Sequence, residues 1–219
     1  MTYSIELREK VLEYRETHSL ENTREVFGIN ISTIRDWEKL RKTQEENPEK
    51  ATYYVDETGI DTFLFRARVR AKRGEKVYSK IRGRKFERVS IVAGKSSDKV
   101  VAPMIYSGTA DSSLFENWFE NQFCPEISGN ICVMDNASIH RKNKLFEIAE
   151  KFNVILIFQP PYSPDLNKIE KYWAWLKKKL KTVLRSFGNL RDTLCHCFQL
   201  KELYSGTASL CQTIHPTLG

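Results

Sequence analysis

The sequence lacks the features that mark membrane and exported proteins. No apolar run approaches the ~20 residues that a helix needs to cross a bilayer. The N-terminus, Met-Thr-Tyr-Ser-Ile-Glu-Leu-Arg, has no apolar core of the kind found in signal peptides, so we expect neither a membrane partner nor export. Only five residues are cysteine, an odd number at irregular spacing, which argues against a disulfide framework and suits the cytoplasm.

A zinc site is not expected either. Cys195, His196 and Cys197 are consecutive, which is too tight a spacing for a zinc knuckle, and no matching pair lies elsewhere. Hydrophobic residues make up 41% of the chain and charged residues 29%, the composition of a folded globular protein. A length of 219 residues suits one sizeable domain and a smaller one.

The positive charge is concentrated in one segment. The formal net charge is +7, and eleven basic residues lie between Arg66 and Arg88, opposed only by Glu75 and Glu87. A focused basic patch attracts polyanions, nucleic acid first among them, although a solvated basic loop is the alternative. Within it, the alternation from Thr62 to Ala71 predicts a half-buried strand whose outer face is basic. Its outward residues are Arg66, Arg68 and Arg70.

The first forty residues predict three short helices. Ser4, Ser19 and Asn30 are each placed to cap a helix, and Gly28 ends the second one. Two helices joined by a glycine-containing turn are typical of a helix-turn-helix, although a plain helical subdomain is the alternative. In a helix-turn-helix, the early residues of the third helix face base edges in the major groove. Here these residues are Ser32, Thr33 and Arg35.

The remainder predicts an α/β domain. Residues 41–50 are polar, contain Pro48 and are interpreted as a linker. From residue 51 to about 200, strand-like runs come first, then alternating helices and strands, and then a long helix from Asn167 to about Phe187. This order matches an RNase H-like mixed sheet flanked by helices. The segment 201–219 fits no expected element and is interpreted as an atypical tail.

Three carboxylates stand at the ends of predicted elements. Asp56 follows an apolar strand, Asp135 ends another, and Glu170 lies in the first turn of the long helix. Carboxylates on rigid elements supply the hard oxygen ligands that two-metal phosphodiester chemistry needs. Glu57 is the rival of Asp56, because successive strand residues point to opposite faces. Each acid also has a purely structural alternative, as a turn residue or as a helix cap.

Three stretches of sequence resemble a known family. They are Tyr54-Val55-Asp56-Glu57-Thr58-Gly59, Val133-Met134-Asp135-Asn136-Ala137-Ser138-Ile139-His140 and Pro160-Pro161-Tyr162-Ser163-Pro164-Asp165-Leu166-Asn167-Lys168-Ile169-Glu170. They are similar to mariner-like DDE transposases of bacterial insertion sequences, in the insertion-sequence-630 group. The 34 residues between Asp135 and Glu170 are a spacing typical of that group.

The resemblance implies a function and a site. It implies an RNase H-like fold, and Asp56, Asp135 and Glu170 as catalytic residues that hold Mg²⁺ or Mn²⁺ in a two-metal site. It implies double-stranded DNA as the partner, with nicking at terminal inverted repeats and strand transfer into a TA-containing target, and a homodimer is one expectation. Lys177 and Lys181 are expected to contact DNA, and Asn136 and His140 are candidate accessory residues.

Two departures from the family pattern leave other functions open. A further helical DNA-binding segment is expected before the first catalytic aspartate, but only a short linker stands there, and the tail is atypical. The chain is therefore also consistent with an internally deleted or frame-shifted copy that only binds DNA. A stand-alone RNase H-like nuclease is a third hypothesis, which the preceding helix-turn-helix weakens.

Overall fold

The computed structural model describes residues 3–61, 88–159, 169–187, 189–198, 200–202 and 211–213. Several predictions fall outside these ranges: the strand from Thr62 to Ala71, the basic residues Arg66, Arg68 and Arg70, the proline-rich loop up to residue 168 and most of the tail. No helix within the described ranges is long and apolar enough to span a membrane.

Three helices open the chain, as the sequence predicts: α1 (Ile5–Arg15), α2 (Leu20–Phe27) and α3 (Ile31–Glu46). The side chains of Ser4, Ser19 and Asn30 each accept a hydrogen bond from a backbone N–H of the first turn, which confirms the predicted caps. Gly28 ends α2 in the left-handed conformation, with φ of 66°, where a side chain would be strained. A small core joins the helices; it consists of Val11, Leu12, Ile29, Ile34 and Trp37.

The third helix is longer than predicted. It continues to Glu46, through most of the segment 41–50 that the sequence presents as an irregular linker. Ion pairs one turn apart explain the extension, since Arg41 contacts Glu45 at 2.7 Å and Lys42 contacts Glu46 at 3.7 Å. Polarity without apolar periodicity therefore does not exclude a helix, and the segment interpreted as a linker is helical up to Glu46.

A five-stranded mixed sheet forms the centre of the remaining chain. Its strands are β1 (Thr52–Asp61), β2 (Arg88–Lys95), β3 (Val100–Tyr106), β4 (Ile131–Met134) and β5 (Ile155–Phe158), in the order β3-β2-β1-β4-β5. The pairs β1–β2 and β2–β3 are antiparallel, whereas β1–β4 and β4–β5 are parallel. The predicted mixed sheet is confirmed.

Helices cover both faces of the sheet. They are α4 (Ser112–Trp118), continued by a π-helical turn (Phe119–Phe123) and α5 (Cys124–Glu126), then α6 (Lys142–Lys151), α7 (Ile169–Val183) and α8 (Leu190–Phe198). A 3-10 turn (Leu184–Ser186) follows α7, and β6 (Leu200–Glu202) pairs with β7 (Cys211–Thr213) as a separate ribbon. The sequence did not predict α8.

The alternation of side chains along β1 divides the core in two. Val55 points to a face covered by α4, the π-helical turn and α6. Ile60 and Tyr54 point to the other face, which is covered in two areas. Near Ile60, α7 and α8 cover β1 to β3. Near Tyr54, Leu40 of α3 packs over β1, β4 and β5. Asp56 lies on this second face, between the area covered by α7 and the area covered by α3.

One close approach determines how the π-helical turn packs on the face of the sheet that contains Val55. A Cβ atom added to Gly94 would collide with Cε2 of Phe123, a fully buried ring in the π-helical turn. The register of β2 and β3 also shifts between Val92 and Gly94, which indicates a bulge. The absence of a side chain at Gly94 thus lets the aromatic cluster of the π-helical turn rest directly on the strand.

Candidate active site

Asp56 lies in the middle of β1 and faces α7. Its Oδ2 accepts a hydrogen bond of 3.1 Å from the indole Nε1 of Trp173, a residue that is 4% exposed. Burial, with the negative charges of Asp135 and Glu170 as smaller contributions, raises the pKa of Asp56 to about 7. Asp56 therefore lies close enough to Asp135 and Glu170 for their negative charges to affect its pKa.

Asp135 directly follows β4, which runs parallel to β1. Its Oδ1 lies 3.2 Å from Nδ1 of His140 and also accepts a hydrogen bond from the backbone N–H of Ala137. The hydrogen bond from His140 lowers the pKa of Asp135. Because both contacts use Oδ1, the other carboxylate oxygen is left without a hydrogen bond in the described part of the chain, and Asp135 is exposed there.

His140 is a buried neighbour of the acid. Its Nδ1 lies 3.2 Å from the carboxylate of Asp135 and 3.2 Å from the backbone oxygen of the same residue. Since both of these oxygens are acceptors, we infer that Nδ1 carries the proton. The ring is 9% exposed and packs against Phe115 at 4.3 Å. His140 thus orients Asp135, whereas Asn136, the other candidate accessory residue, is exposed.

Glu170 is exposed in the first turn of α7. At ~100° per residue, Lys177 and Lys181 follow it on the same side of the helix. Lys177 is half-buried and Lys181 is exposed. The predicted DNA contacts on α7 therefore extend from the third acid along one side of the helix.

Glu57 points to the opposite face of β1. Its Oε2 accepts a hydrogen bond of 3.2 Å from the Tyr106 hydroxyl, and burial raises the pKa of Glu57. The two rival acids are thus separated by the strand, as alternation requires. Asp56 is the one that faces α7 and Glu170, which supports its choice over Glu57.

A bidentate ion pair holds the loop that follows Asp135. Nε and one terminal nitrogen of Arg141 each lie 2.6 Å from a carboxylate oxygen of Glu116 in α4. Glu116 is 8% exposed, so removal of this partner would leave a buried carboxylate without its hydrogen bonds. Because Arg141 follows His140 directly, the pair anchors the turn that positions Asp135.

The chemistry of the donor set fits a divalent cation. Asp56, Asp135 and Glu170 offer hard oxygen ligands, and a cation would offset the negative charges of Asp135 and Glu170 that add to the effect of burial on the Asp56 pKa. Among the residues described, however, no three His, Cys, Asp or Glu side chains are close enough to hold one ion together. The three acids thus lie near one another, but among the described residues they do not form a complete set of ligands for one ion.

The predicted DNA-reading residues of α3 divide into two groups. Ser32 and Arg35 are exposed, whereas Thr33 is buried at 8% exposure. The expectation that Thr33 faces base edges is therefore corrected, because its side chain belongs to the inner side of the helix together with Ile34 and Trp37. The predicted contacts of Arg66, Arg68 and Arg70 lie outside the described residues.

Two contributions to the site were missed from the sequence. The hydrogen bond from Trp173 to Asp56 joins residues 117 positions apart. The Glu116–Arg141 pair joins residues 25 positions apart on different elements. No local signal in the sequence reveals either contact.

Comparisons with known proteins agree with this geometry. Residues 51–194 match the family model of the DDE superfamily endonuclease. The transposable element Tcb1 transposase of Caenorhabditis briggsae is 31% identical over 105 residues, which cover 45% of this chain and 38% of that protein.

Two solved structures show the same fold. The Mos1 transposase paired-end complex with left transposon end and the Mos1 Strand Transfer Complex each give a TM-score of 0.50 at 14% identity. Each covers 81% of this chain and 65% of the Mos1 chain, so the matches span less than two thirds of these relatives. The likeness confirms the predicted RNase H-like mixed sheet flanked by helices. With about two thirds of its length matched by the family model, the chain belongs to the DDE superfamily endonucleases.

Proposed function

We propose that the chain is a transposase that binds terminal inverted repeats, cleaves DNA strands and joins the freed end to target DNA. The observation that supports this most is the position of Asp56. Its carboxylate is half-buried and receives a hydrogen bond from Trp173, and the charges of Asp135 and Glu170 affect its pKa. An aspartate with only a structural role would gain no stability from two further acids beside it, because like charges repel.

The three acids would hold two Mg²⁺ or Mn²⁺ ions. In such a site, metal ions activate the attacking oxygen and stabilise the leaving oxygen of the phosphodiester. The protein's own part is to orient the ligands: Trp173 directs one oxygen of Asp56, and His140 directs one oxygen of Asp135. The remaining carboxylate oxygens of the two aspartates, together with Glu170, would hold the ions.

The DNA partner would contact two surfaces. Ser32 and Arg35 at the exposed start of α3 would read the repeat, and Lys177 and Lys181 would hold the phosphates near the cut. Arg66, Arg68 and Arg70 would add affinity without sequence preference. A homodimer, a TA-containing target and an origin in a bacterial insertion sequence belong to the same proposal, as does the division into a helix-turn-helix domain (1–40) and a catalytic domain (51–200).

A DNA-binding remnant without catalysis is the second candidate. It is favoured by one observation: within the described ranges the acids do not approach closely enough to ligate a single ion. The two functions differ in a simple way, because the remnant binds DNA but leaves every phosphodiester intact.

A nicking assay separates them. The full chain is incubated with a supercoiled plasmid that contains the DNA flanking its reading frame, with Mg²⁺, with Mn²⁺ or with a chelator. We expect nicking only with metal, and its loss in Asp135→Asn, which keeps the shape of the side chain but removes a charged ligand. Asp98→Asn, at an exposed turn between β2 and β3, is the matched control and should nick normally. Undiminished nicking by Asp135→Asn, or none by the wild type, would contradict the proposal.

A further inference from the structure

The outer side of α7 has an excess of positive charge. The helix contains Glu170 as its single acid and five lysines, namely Lys171, Lys177, Lys178, Lys179 and Lys181. No ion pair within the described ranges neutralises any of the five. Like charges one turn apart destabilise a helix by a few tenths of a kcal/mol per pair. The arrangement therefore fits a polyanionic partner that offsets the repulsion.

An exposed indole lies among these lysines. Trp175 is 49% exposed, one of few large hydrophobic side chains so placed among the described residues. Its ring centroid lies 5.4 Å from that of Tyr172, and Nζ of Lys179 lies 5.1 Å from the Trp175 centroid. Tyr172 in turn lies 6.3 Å from Phe198 at the end of α8. The indole is thus held in place by a row of rings while part of its surface remains open to solvent.

We propose that Trp175 is a stacking platform for an unpaired nucleotide of DNA, with Lys171 and Lys178 binding the adjoining phosphates. The inference rests on the proposed function and assigns a further substrate contact to it. At ~100° per residue, these three side chains lie within about 60° of one another on the helix surface. Paired bases are covered by their neighbours, whereas an unpaired base offers a free π-face to an aromatic ring.

The distance from the third acid suits this role. Trp175 is five residues beyond Glu170, which corresponds to about 7.5 Å along the helix axis. That is roughly two nucleotide steps of ~3.4 Å along one strand. Trp175 also lies about 140° around the helix from Glu170, and Lys171 and Lys178 lie between these two directions, so a strand end that leaves the active site would pass the two lysines before it unstacks onto the indole.

A second copy of the chain is a poorer occupant for the same surface. In a symmetric dimer the same patch faces itself, so the lysines around Trp175 would meet the lysines of the other copy. Such a contact would leave several like charges opposed across the interface. Charge complementarity therefore favours DNA over self-association.

The test measures binding of the full chain to two fluorescein-labelled probes, single-stranded oligothymidylate of twenty nucleotides and a blunt duplex of twenty base pairs. Fluorescence anisotropy gives Kd for the wild type, Trp175→Ala and Trp175→Tyr. We expect Trp175→Ala to weaken binding to the single strand by roughly 5- to 150-fold, the contribution of one base stacked on an aromatic ring. Trp175→Tyr keeps a π-face and should restore most of the affinity, and the duplex should be affected less.

Two controls identify the cause of the loss. Phe146→Ala removes another half-exposed aromatic ring, on α6, and should leave single-strand binding unchanged. Stacking releases no counterions, so Trp175→Ala should keep the salt dependence of Kd. Lys178→Ala should instead flatten the log–log slope by about 0.7, the value for one phosphate contact on a single strand.

The proposal is overturned if Trp175→Ala binds oligothymidylate within twofold of the wild type, or if the wild type does not bind it. It is also overturned if Trp175→Ala lowers the oligomeric state in sedimentation velocity without changing Kd, since the indole would then be an interface residue. Failure of the proposed function looks different, because the wild type would then fail to nick the plasmid whatever the result at Trp175.

Discussion

The indole of Trp173 donates a hydrogen bond of 3.1 Å to Oδ2 of Asp56, and so ties the helix of the third acid to the strand of the first. Trp173 is also part of the core between α7 and β1 to β3. One side chain therefore packs the helix onto the sheet and orients a candidate metal ligand. Substitutions of Trp173 should therefore distinguish its contribution to the stability of the fold from its contribution to metal binding by Asp56.

Trp173→Phe should lower activity more than stability. The ring that remains still fills most of the space, but Asp56 loses the donor that orients it. Loss of such an outer contact typically costs 10- to 100-fold in metal affinity or activity, so we expect nicking to need roughly that much more Mn²⁺. The measurement is the plasmid-nicking rate as a function of Mn²⁺ concentration.

The matched control is Trp118→Phe, on the other face of the sheet. Its indole donates a buried hydrogen bond of 2.7 Å to the backbone oxygen of Ala102. Loss of that bond should lower the Tm without changing the Mn²⁺ requirement. If both variants shift the Mn²⁺ requirement equally, the contact between Trp173 and Asp56 has no specific role.

Gly94→Ala should destabilise the domain by overpacking. The new methyl would collide with the ring of Phe123, which is fully buried and has little freedom to move. Overpacking of this kind costs about 1–3 kcal/mol, measurable as a lower midpoint in urea unfolding. Adding Phe123→Leu should recover part of the loss, since it makes room for the methyl. A Gly94→Ala variant as stable as the wild type would mean that the strand and the π-helical turn separate easily.

Arg141→Met should destabilise the protein more than the double change Arg141→Met with Glu116→Leu. The single variant leaves the buried Glu116 carboxylate without its bidentate partner, whereas the double variant removes both charges. Thermal unfolding of both variants and of Glu116→Leu completes the cycle. Equal Tm values for the two Arg141 variants would show that the pair does not hold the loop after Asp135.

Thiol labelling should distinguish buried from accessible cysteines. Burial raises the pKa of Cys124 to about 12 and raises that of Cys132 well above its ordinary value, so at pH 8 both remain neutral thiols. Cys197 is only half-buried and should react first of these three with iodoacetamide. Mass spectrometry of the native and the urea-unfolded protein checks the order. Rapid native labelling of Cys132 would contradict its complete burial.

The elements with strong local signals were predictable. The capping residues Ser4, Ser19 and Asn30 predict the starts of α1 to α3. Short apolar runs predict β4 and β5. In each case one residue type or a short hydrophobic period determines the element. The helical end from Arg41 to Glu46 was not predictable from apolar periodicity, because ion pairs on an exposed surface stabilise it. The π-helical turn that follows α4 was not predictable either, because it depends on how Phe119 and Phe123 pack.

The site was predictable only in part, for a physical reason. Asp135 and Glu170 could be selected because they stand at the end of a strand and the start of a helix, and Asp56, which lies in the middle of β1, because the resemblance to the family pointed to it. Their neighbours could not, since Trp173 reaches Asp56 and Arg141 reaches Glu116 only after the sheet has formed. The inward direction of Thr33 likewise depends on how α3 rotates against α1 and α2.

Glu170→Gln distinguishes a metal ligand from a helix cap. Glutamine accepts a hydrogen bond about as well as glutamate, so a capping role survives the change, but it lacks the charge that a hard cation needs. The Tm in metal-free buffer should therefore equal that of the wild type. A variant that unfolds without metal would show that capping dominates at this position.

Whether Glu170 belongs to a metal-dependent DNA-cutting site is tested most simply by measuring the Tm of the wild type and of Glu170→Gln as Mn²⁺ is added. Binding to the folded state alone stabilises a protein by about 2.7 kcal/mol at one hundred times Kd. Mn²⁺ should raise the Tm of the wild type and leave that of Glu170→Gln nearly unchanged. Equal Mn²⁺ stabilisation of both proteins would contradict the assignment of Glu170, with Asp56 and Asp135, to a metal-dependent DNA-cutting site.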